Sequence, residues 1–557
     1  MLKQAGIGIG LTALAGCQSG SNSASNKTTT EAAASGLDSA SNETATEAAT
    51  TDAASAATND SQNNTEAATS STSGQVSRGG TLQVAAAGDP ENLDPHTTTI
   101  DTAQKILDNV MEGLFELNAN LQPRPVLATD YSISDDRTTY EIQLKEGVSF
   151  HNGSELTSAD VTYTIERILD PDLGSPRAAN FNLLDTVEAV DDYTVRFNLT
   201  EPFAPFLLAL SESAPIVPEG VKTETLNQTP VGTGPFTLGS YQTDDQVTLA
   251  KFDNYHIDGL PYLDGVTFDI VPEAATRLTQ LNSGPANVMF GVPFQNADQI
   301  ENTSNTSLQA VPSLFKQCLW FNTDQEPFDQ PIVRRAVSHA INREQIVQGV
   351  LFGSGEPAHS PAVPASAWQD RIENKNPHTG GQEEATALLE EAGVDPSSVS
   401  VSLKASRTPG PTYADTATLI ESQLSQLDMS IEVQIMDFST WLQEVWENQN
   451  YALSIGSWSG RSDPDGWYYR QYRSDGTWNK FNYSNSEVDD LVDQGRTAVE
   501  MSKRASIYSQ IEDIISQDTP MAYLYFQESL TGLENTVGGY ELTSTQQAAF
   551  DDVYLNG

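Results

Sequence analysis

Positive charge is scarce in this chain: 28 Lys and Arg stand against 76 Asp and Glu among 557 residues, a formal net charge of −48. The acids are spread along the whole length instead of forming a tail. Such a surface repels phosphates, so nucleic acid is excluded as a partner. Two readings of the imbalance remain. One is a decoy for basic ligands. The other is adaptation to high salt, where screening removes the self-repulsion that dilute buffer exposes. The lack of clustering points to the second, and to a salt-loving source.

Cysteine is nearly absent, with only Cys17 and Cys318. Cys17 falls in the leader, so the folded part has one thiol and no internal disulfide. Cys318 lies in the apolar run Cys318-Leu319-Trp320-Phe321, where it reads as a small buried hydrophobe. No other apolar run approaches the ~18 residues that a membrane-spanning helix needs. The six histidines, His96, His151, His256, His339, His359 and His378, are scattered singly. Their spacing gives no metal site, and no cofactor is expected. His339 lies between apolar positions and reads as a satisfied core residue. His-Glu-x-x-His and Gly-x-Ser-x-Gly are missing, and no Ser-x-x-Lys precedes a helix with its partner motifs, which argues against a secreted hydrolase. Val231-Gly232-Thr233-Gly234-Pro235 lacks the Lys-Ser/Thr ending of a phosphate loop, and Pro235 removes an amide donor; it reads as a backbone crossing. No repeat occurs at solenoid periods.

What is present begins with a leader. Residues 5–15 form a short apolar run rich in Gly and Ala, similar to the core of a secretion signal. It ends Leu14-Ala15-Gly16-Cys17, the pattern of a lipobox, in which the cysteine thiol takes a lipid. A chance cysteine after an apolar run is the alternative. The expected signal peptide is 1–17, and the expected location is the outer face of the cell membrane, with Cys17 as the membrane anchor. Only Lys3 precedes the apolar run, and Leu2-Lys3 resembles the tail of a twin-arginine signal, which implies a longer leader and export by that route. Residues 18–78 are dominated by Ser, Thr, Ala, Asn, Glu and Asp and contain no aromatic residue. Such a segment cannot bury enough apolar area to offset its ordering entropy, so a disordered tether is expected. Its sequons at Asn26, Asn42, Asn59 and Asn63 either carry glycans or arise by chance from the composition.

From Gly79 the texture changes. Tyr193, Val195, Phe197 and Leu199 alternate with polar residues and predict a strand, as do Val266, Phe268 and Ile270, and Ile431, Val433 and Ile435. Ile332, Val333, Ala336, Val337, Ala340 and Ile341 form a helical stripe, with Asp329 placed to cap it. Asn342 with Gln345 predicts the next helix start, and Gly393 ends a helix through Leu388 and Leu389. Strands alternating with helices over this length predict an α/β protein of about three or four core-forming units.

Residues 127–167 read LATDYSISDDRTTYEIQLKEGVSFHNGSELTSADVTYTIER. This stretch closely resembles the signature region of the peptide, opine and nickel class of solute-binding proteins, family 5. Three further blocks follow the same order: Gly79-Gly80-Thr81-Leu82 with Asp94-Pro95 and the return 231–236; 319–346; and 458–491 with Asp463-Pro464-Asp465. Within the signature, Asn152-Gly153 is a turn needing positive φ, and Thr157 and Asp160 stand where helix-start amides need acceptors.

The resemblance implies a two-lobed periplasmic-binding-protein type II fold with an inserted domain. Lobe I would take 79–111, 218–310 and 526–557, the insert 112–217, and lobe II 311–525. It implies a monomer that is not an enzyme, that captures a small molecule or peptide between the lobes, and that passes it to the permease of an ATP-driven importer. A tethered sensor or chaperone-like module, and a metal or haem carrier of the same family, are the alternatives. Carried over from relatives, Trp458, Ser459 and Gly460 would contact ligand, as would Trp320 and Asn322, although hinge packing explains the aromatics equally. Thr98 would offer a hydroxyl. Arg407 falls in the segment where relatives hold a peptide carboxylate, which a guanidinium matches with two N–H donors. Arg461 stands where peptide-binding relatives place an ammonium-binding aspartate. Either it faces ligand and disfavours a free amine, or it forms an internal ion pair. Asp463 and Asp465 are the possible substitutes for the missing aspartate. The leader yields the first test: Cys17→Ser leaves the protein exported but released from the membrane, and cell fractionation after a high-salt wash checks it.

Overall fold

The computed structural model of the protein describes residues 76–364, 366, 368–407, 412–459 and 461–556. Cys17, the four sequons, nearly all of the tether and Gly460 lie outside them. Alternation produces the expected strands. Thr194–Leu199 buries Val195 and Phe197 and joins Ala128–Ile133, Thr139–Leu144 and Leu184–Asp191 in a four-stranded antiparallel sheet. Helix Ser158–Leu169 covers this sheet. Its start is a capping box, with the Thr157 amide donating to Asp160 at 2.8 Å, and it buries Val161, Ile165 and Ile168.

A second sheet has eleven strands. At its centre two long strands, Thr306–Phe321 and Met521–Glu534, run antiparallel. On one side follow Val288–Phe290, Thr81–Ala86, Gly265–Ile270, Gln246–Lys251 and Phe236–Gln242; on the other Leu453–Ser459, Ser400–Ser406 and Ser430–Met436. These last three are mutually parallel, so their C-terminal ends lie on one edge. The central ladder lapses between Pro312 and Lys316. There Ser313 turns inward and donates to the Gln527 carbonyl at 2.7 Å.

Apolar side chains gather in separate clusters. One joins Leu82, Ile106, Phe236, Val266 and Phe550; another joins Phe150, Val161, Phe197 and Ile216. Two more flank the sheet half that contains Leu453–Ser459, one built on Phe321, Val337, Leu403 and Tyr525, the other on tryptophans and tyrosines from Trp320 to Tyr523. The crossing expected at 231–235 is present. A Cβ on Gly232 would lie 2.1 Å from the Val110 carbonyl oxygen, and the Gly234 amide donates to that oxygen at 3.1 Å.

Two local expectations change. Helix Pro331–Ala340 is preceded by Gln330 and not capped by Asp329, because Pro331 at the first helical position sets the start one residue later. His339 is half-buried, and its Nδ1 accepts the Gly380 amide at 2.9 Å, so it is satisfied at the edge of the core and not within it. Cys318 is fully buried, and burial pushes its thiol up to about 12. Among the described residues no helix is long and apolar enough to cross a membrane.

The aromatic cluster encloses two ionisable groups. Burial lowers Lys316 to about 8 and raises Glu512 to about 8. The Tyr468 hydroxyl donates to Glu512 at 2.5 Å. A carboxyl whose folded pKa exceeds its unfolded value keeps its proton on folding, so stability falls as pH rises between the two values. Glu512→Gln keeps the acceptor for Tyr468 and removes that penalty. Its melting temperature is expected to exceed that of the wild type at pH 7, by the equivalent of a few kcal/mol, and to coincide with it near pH 4. Thermal melts across that range check it.

Candidate functional site

A cavity of about 360 Å³ opens between segments far apart in the chain. Helix Asp101–Leu107 with Asp108 forms one wall, joined by 545–551. Arg177 and Glu212, from the region around the four-stranded sheet, form another. Arg461, which follows strand Leu453–Ser459, and Leu314, at the lapse in the central ladder, complete it. Direct contacts close its border. Ser462 Oγ donates to Glu212 Oε1 at 2.5 Å, Arg470 Nη2 donates to Asn180 Oδ1 at 2.9 Å, and the Ala204 amide donates to the Arg496 carbonyl at 3.1 Å.

The charges lining the cavity sort by their partners. Asp101 is paired with Lys105, and Glu116 with Arg124. Glu112 accepts from His256 at 2.8 Å, Thr233 at 2.7 Å and Tyr255 at 3.0 Å. Two arginines remain without an ion pair among the described residues. Arg177 donates only to carbonyls, from Nε to Pro95 at 2.6 Å and from Nη1 to Glu212 at 3.2 Å. Burial, and then the charge of Arg461, lower Arg177 to about 10. Arg461 lays its aliphatic stem against Gly466, whose missing Cβ would lie 2.6 Å away. Two unpaired guanidiniums facing one cavity present a seat for an anion, most naturally the planar oxygen pair of a carboxylate.

The expected site residues separate accordingly. Arg461 lines the cavity, and it forms no internal ion pair among the described residues. Arg407 is exposed at the end of strand Ser400–Ser406, its amide donating to Met436, and is not among the residues lining this cavity. Trp458 and Trp320 are buried in an aromatic stack, 5.1 Å between rings, that continues to Trp478 at 5.2 Å and ends under the Arg470 guanidinium at 5.0 Å. Ser459 ends its strand. Asn322 is buried and braces loops, donating to the Gln449 carbonyl at 2.9 Å and accepting from Asn482 at 3.1 Å. Thr98 is buried, with its hydroxyl 3.3 Å from the Ile100 amide. Both Asp463 oxygens are taken by Arg504, at 2.7 and 2.5 Å, and Oδ1 also accepts the Asp465 amide. Asp465 faces Arg496 at 3.7 Å. Thr98, Asn322 and Asp463 are thus committed to the fold, and neither aspartate of the Asp-Pro-Asp turn is among the cavity-lining residues.

Sequence reasoning missed Arg177 and Asp108. Arg177 follows Ser175-Pro176 in a loop, and its only signal is that any arginine is rare here. Asp108 ends a helix, where a carboxylate has the wrong sign for the dipole. Among the described residues no group of three or more His, Cys, Asp or Glu is placed to hold a metal ion.

Residues 122–480 match the family described as bacterial extracellular solute-binding proteins, family 5 (middle). The glutathione-binding protein GsiB of Escherichia coli strain K12 is 29% identical over 476 residues, 83% of this chain and 92% of that protein. The ABC transporter substrate-binding protein CtaP of Listeria monocytogenes is 26% identical and superposes with a TM-score of 0.78 over 86% of this chain and 100% of that one. The oligopeptide-binding protein AppA of Bacillus subtilis, solved with a nonapeptide, is 26% identical, with a TM-score of 0.71 over 87% of this chain and 100% of that one.

The Asp463 pairing generates a test. Asp463→Asn leaves the buried Arg504 undercompensated and should cost on the order of 3 kcal/mol in stability, measured by urea unfolding. The small molecules released by denaturing the natively purified variant should match those from the wild type, because the residue supports the fold and does not face the cavity.

Proposed function

Because this chain belongs to the bacterial extracellular solute-binding proteins, family 5, we propose that the cavity between Arg177 and Arg461 captures a small carboxylate-bearing solute, peptide-like or otherwise. The chain is the substrate-binding protein of an ABC importer, with the two-lobed fold of its relatives, and it is not an enzyme. Lobe I comprises 79–111, 218–310 and 526–557, the inserted domain 112–217, and lobe II 311–525. Separate apolar clusters on either side of residues 112 and 217 support that division. Cys17 carries the lipid that holds the protein at the outer face of the membrane. The solute, once enclosed, is handed to the permease while ATP is hydrolysed elsewhere.

One observation carries the ligand reading: in a chain of net charge −48, two arginines without ion pairs face one cavity. The glutathione and oligopeptide ligands named for relatives carry carboxylates as well, which supports it. Charged hydrogen bonds contribute about 1.5–3 kcal/mol. Arg461→Gln is therefore expected to weaken binding roughly tenfold to a hundredfold, Arg177→Gln comparably, and Arg407→Ala much less. Solutes released from natively purified protein are identified by mass spectrometry and then titrated by calorimetry into each variant. Strong loss with Arg407→Ala and none with Arg461→Gln would move the carboxylate seat out of this cavity.

A further inference from the structure

Beyond the sequons of the tether, the folded part carries six more Asn-x-Ser/Thr triplets, which begin at Asn152, Asn198, Asn227, Asn302, Asn305 and Asn482. A chain rich in Asn, Ser and Thr makes such triplets by chance, so the motif alone decides nothing. What separates them is whether the fold has already used the side-chain nitrogen, the atom that takes a sugar. Asn198 Nδ2 donates to Thr186 Oγ1 at 2.9 Å, and Asn302 Nδ2 to the Asp298 carbonyl at 2.7 Å. Asn305 Nδ2 donates to the Asn282 carbonyl at 3.2 Å, and Asn482 Nδ2 to Asn322 Oδ1 at 3.1 Å. Asn227 is half-buried in helix Thr223–Gln228, with its side-chain oxygen enclosed. Asn152 differs from all of these. It is exposed, and its Oδ1 accepts the Ser154 amide at 3.0 Å and the Ser154 hydroxyl at 2.8 Å. Its Nδ2 has no partner among the described residues.

The loop around Asn152 presents that nitrogen on a fixed base. Ser149 and Glu155 pair by an antiparallel bridge, the Phe150 amide donates to the Ser154 carbonyl at 2.8 Å, and the Gly153 amide donates to the Phe150 carbonyl at 2.9 Å. Phe150 is buried, and the His151 amide donates to the Gly232 carbonyl at 2.9 Å. At the tip, a Cβ built on Gly153 would meet nothing within 4 Å, so the space beyond is open. We propose that Asn152 is an N-glycosylation site, modified by an extracytoplasmic transferase that uses a lipid-linked glycosyl phosphate. In that step Nδ2 bonds to the anomeric carbon of the sugar. The bond from that carbon to the phosphate oxygen breaks, the phosphate leaves with the electron pair, and Nδ2 gives up one proton. The extracellular setting of the family exposes the loop to such an enzyme. Asn152 is not among the residues lining the cavity, so the glycan stands clear of the captured solute.

The experiment takes the full protein purified from its native source and reads its peptides by tandem mass spectrometry. Trypsin cleaves after Lys145 and Arg167, which separates the Asn152 triplet from the other five. That peptide is expected to carry a glycan on Asn152, with the other five asparagines bare. Asn152→Gln and Ser154→Ala should each lose the glycan. Ser154→Thr should keep it, because threonine supplies the same hydroxyl at the third position. A wild-type peptide that is bare, or only deamidated at Asn152-Gly153, overturns the assignment without any variant having to fold. A glycan that survives Asn152→Gln overturns it too, since the sugar would then sit on a serine or threonine oxygen. Occupancy of Asn302 or Asn305 equal to that of Asn152 would overturn the selection by a free nitrogen.

Discussion

The antiparallel pairing of Thr306–Phe321 with Met521–Glu534 is the connection on which the rest of the fold depends. Its ladder runs from Thr306 opposite Glu534 to Pro312 opposite Glu528, lapses, and resumes at Lys316 opposite Phe526. Beside Met521–Glu534 lie the strands that begin with Val288–Phe290; beside Thr306–Phe321 lie those that begin with Leu453–Ser459. Within this sheet, the strands of one side meet those of the other only through the central pair. A continuous ladder would lock the two sides rigidly, since each added pair of bonds resists bending. The lapse at 313–315 relaxes that constraint where Leu314 reaches the cavity. The break in the ladder and the cavity wall therefore meet at Leu314.

Scarce positive charge gives the cavity its meaning. Most buried guanidiniums here brace segments far apart in sequence. Arg343 donates to the carbonyls of Ala358, Tyr523, Ser338, Ile341 and His378, and Arg334 to those of Phe328, Asp518 and Thr519. Arg167 pairs with Asp94, and Arg504 with Asp463. Such arginines could not be recruited by a ligand without loosening the fold. Arg461 has no such duty, and Arg177 leaves Nη2 uncommitted among the described residues.

Much of this was legible in the sequence wherever physics is local. The alternation at 193–199, the capping box of Thr157 and Asp160, the Asn342 cap and the close crossing at 231–235 each follow from short-range geometry. The cavity was legible only in part, because it is assembled from residues hundreds of positions apart. Arg461 was visible as a charge reversal within a recognisable block. Asp463, two residues on, carries the same kind of signal, yet Arg504 claims both of its oxygens, and that partner stands 41 residues away. Trp320 and Trp458 look like ligand platforms in sequence, but they stack on each other. What a linear reading lacks is the bookkeeping of partners: a polar side chain is available to a ligand only if the fold has not already used it.

That bookkeeping extends to closure. The residues around the four-stranded sheet meet the aromatic half through Ser462 with Glu212, Arg470 with Asn180, and the Ala204 amide with Arg496. Net hydrogen bonds of this kind are worth about 0.5–1.5 kcal/mol each, so the three together contribute a few kcal/mol beside the contact of the Arg496 guanidinium with the Phe203 ring. Arg177 and Arg461 oppose them, because the charge of one disfavours the charge of the other across that border. A solute placing negative charge between the two arginines removes the repulsion and leaves the three bonds intact. It thus interacts better with the enclosed state than with the open one, which is the only condition that ligand-driven closure requires.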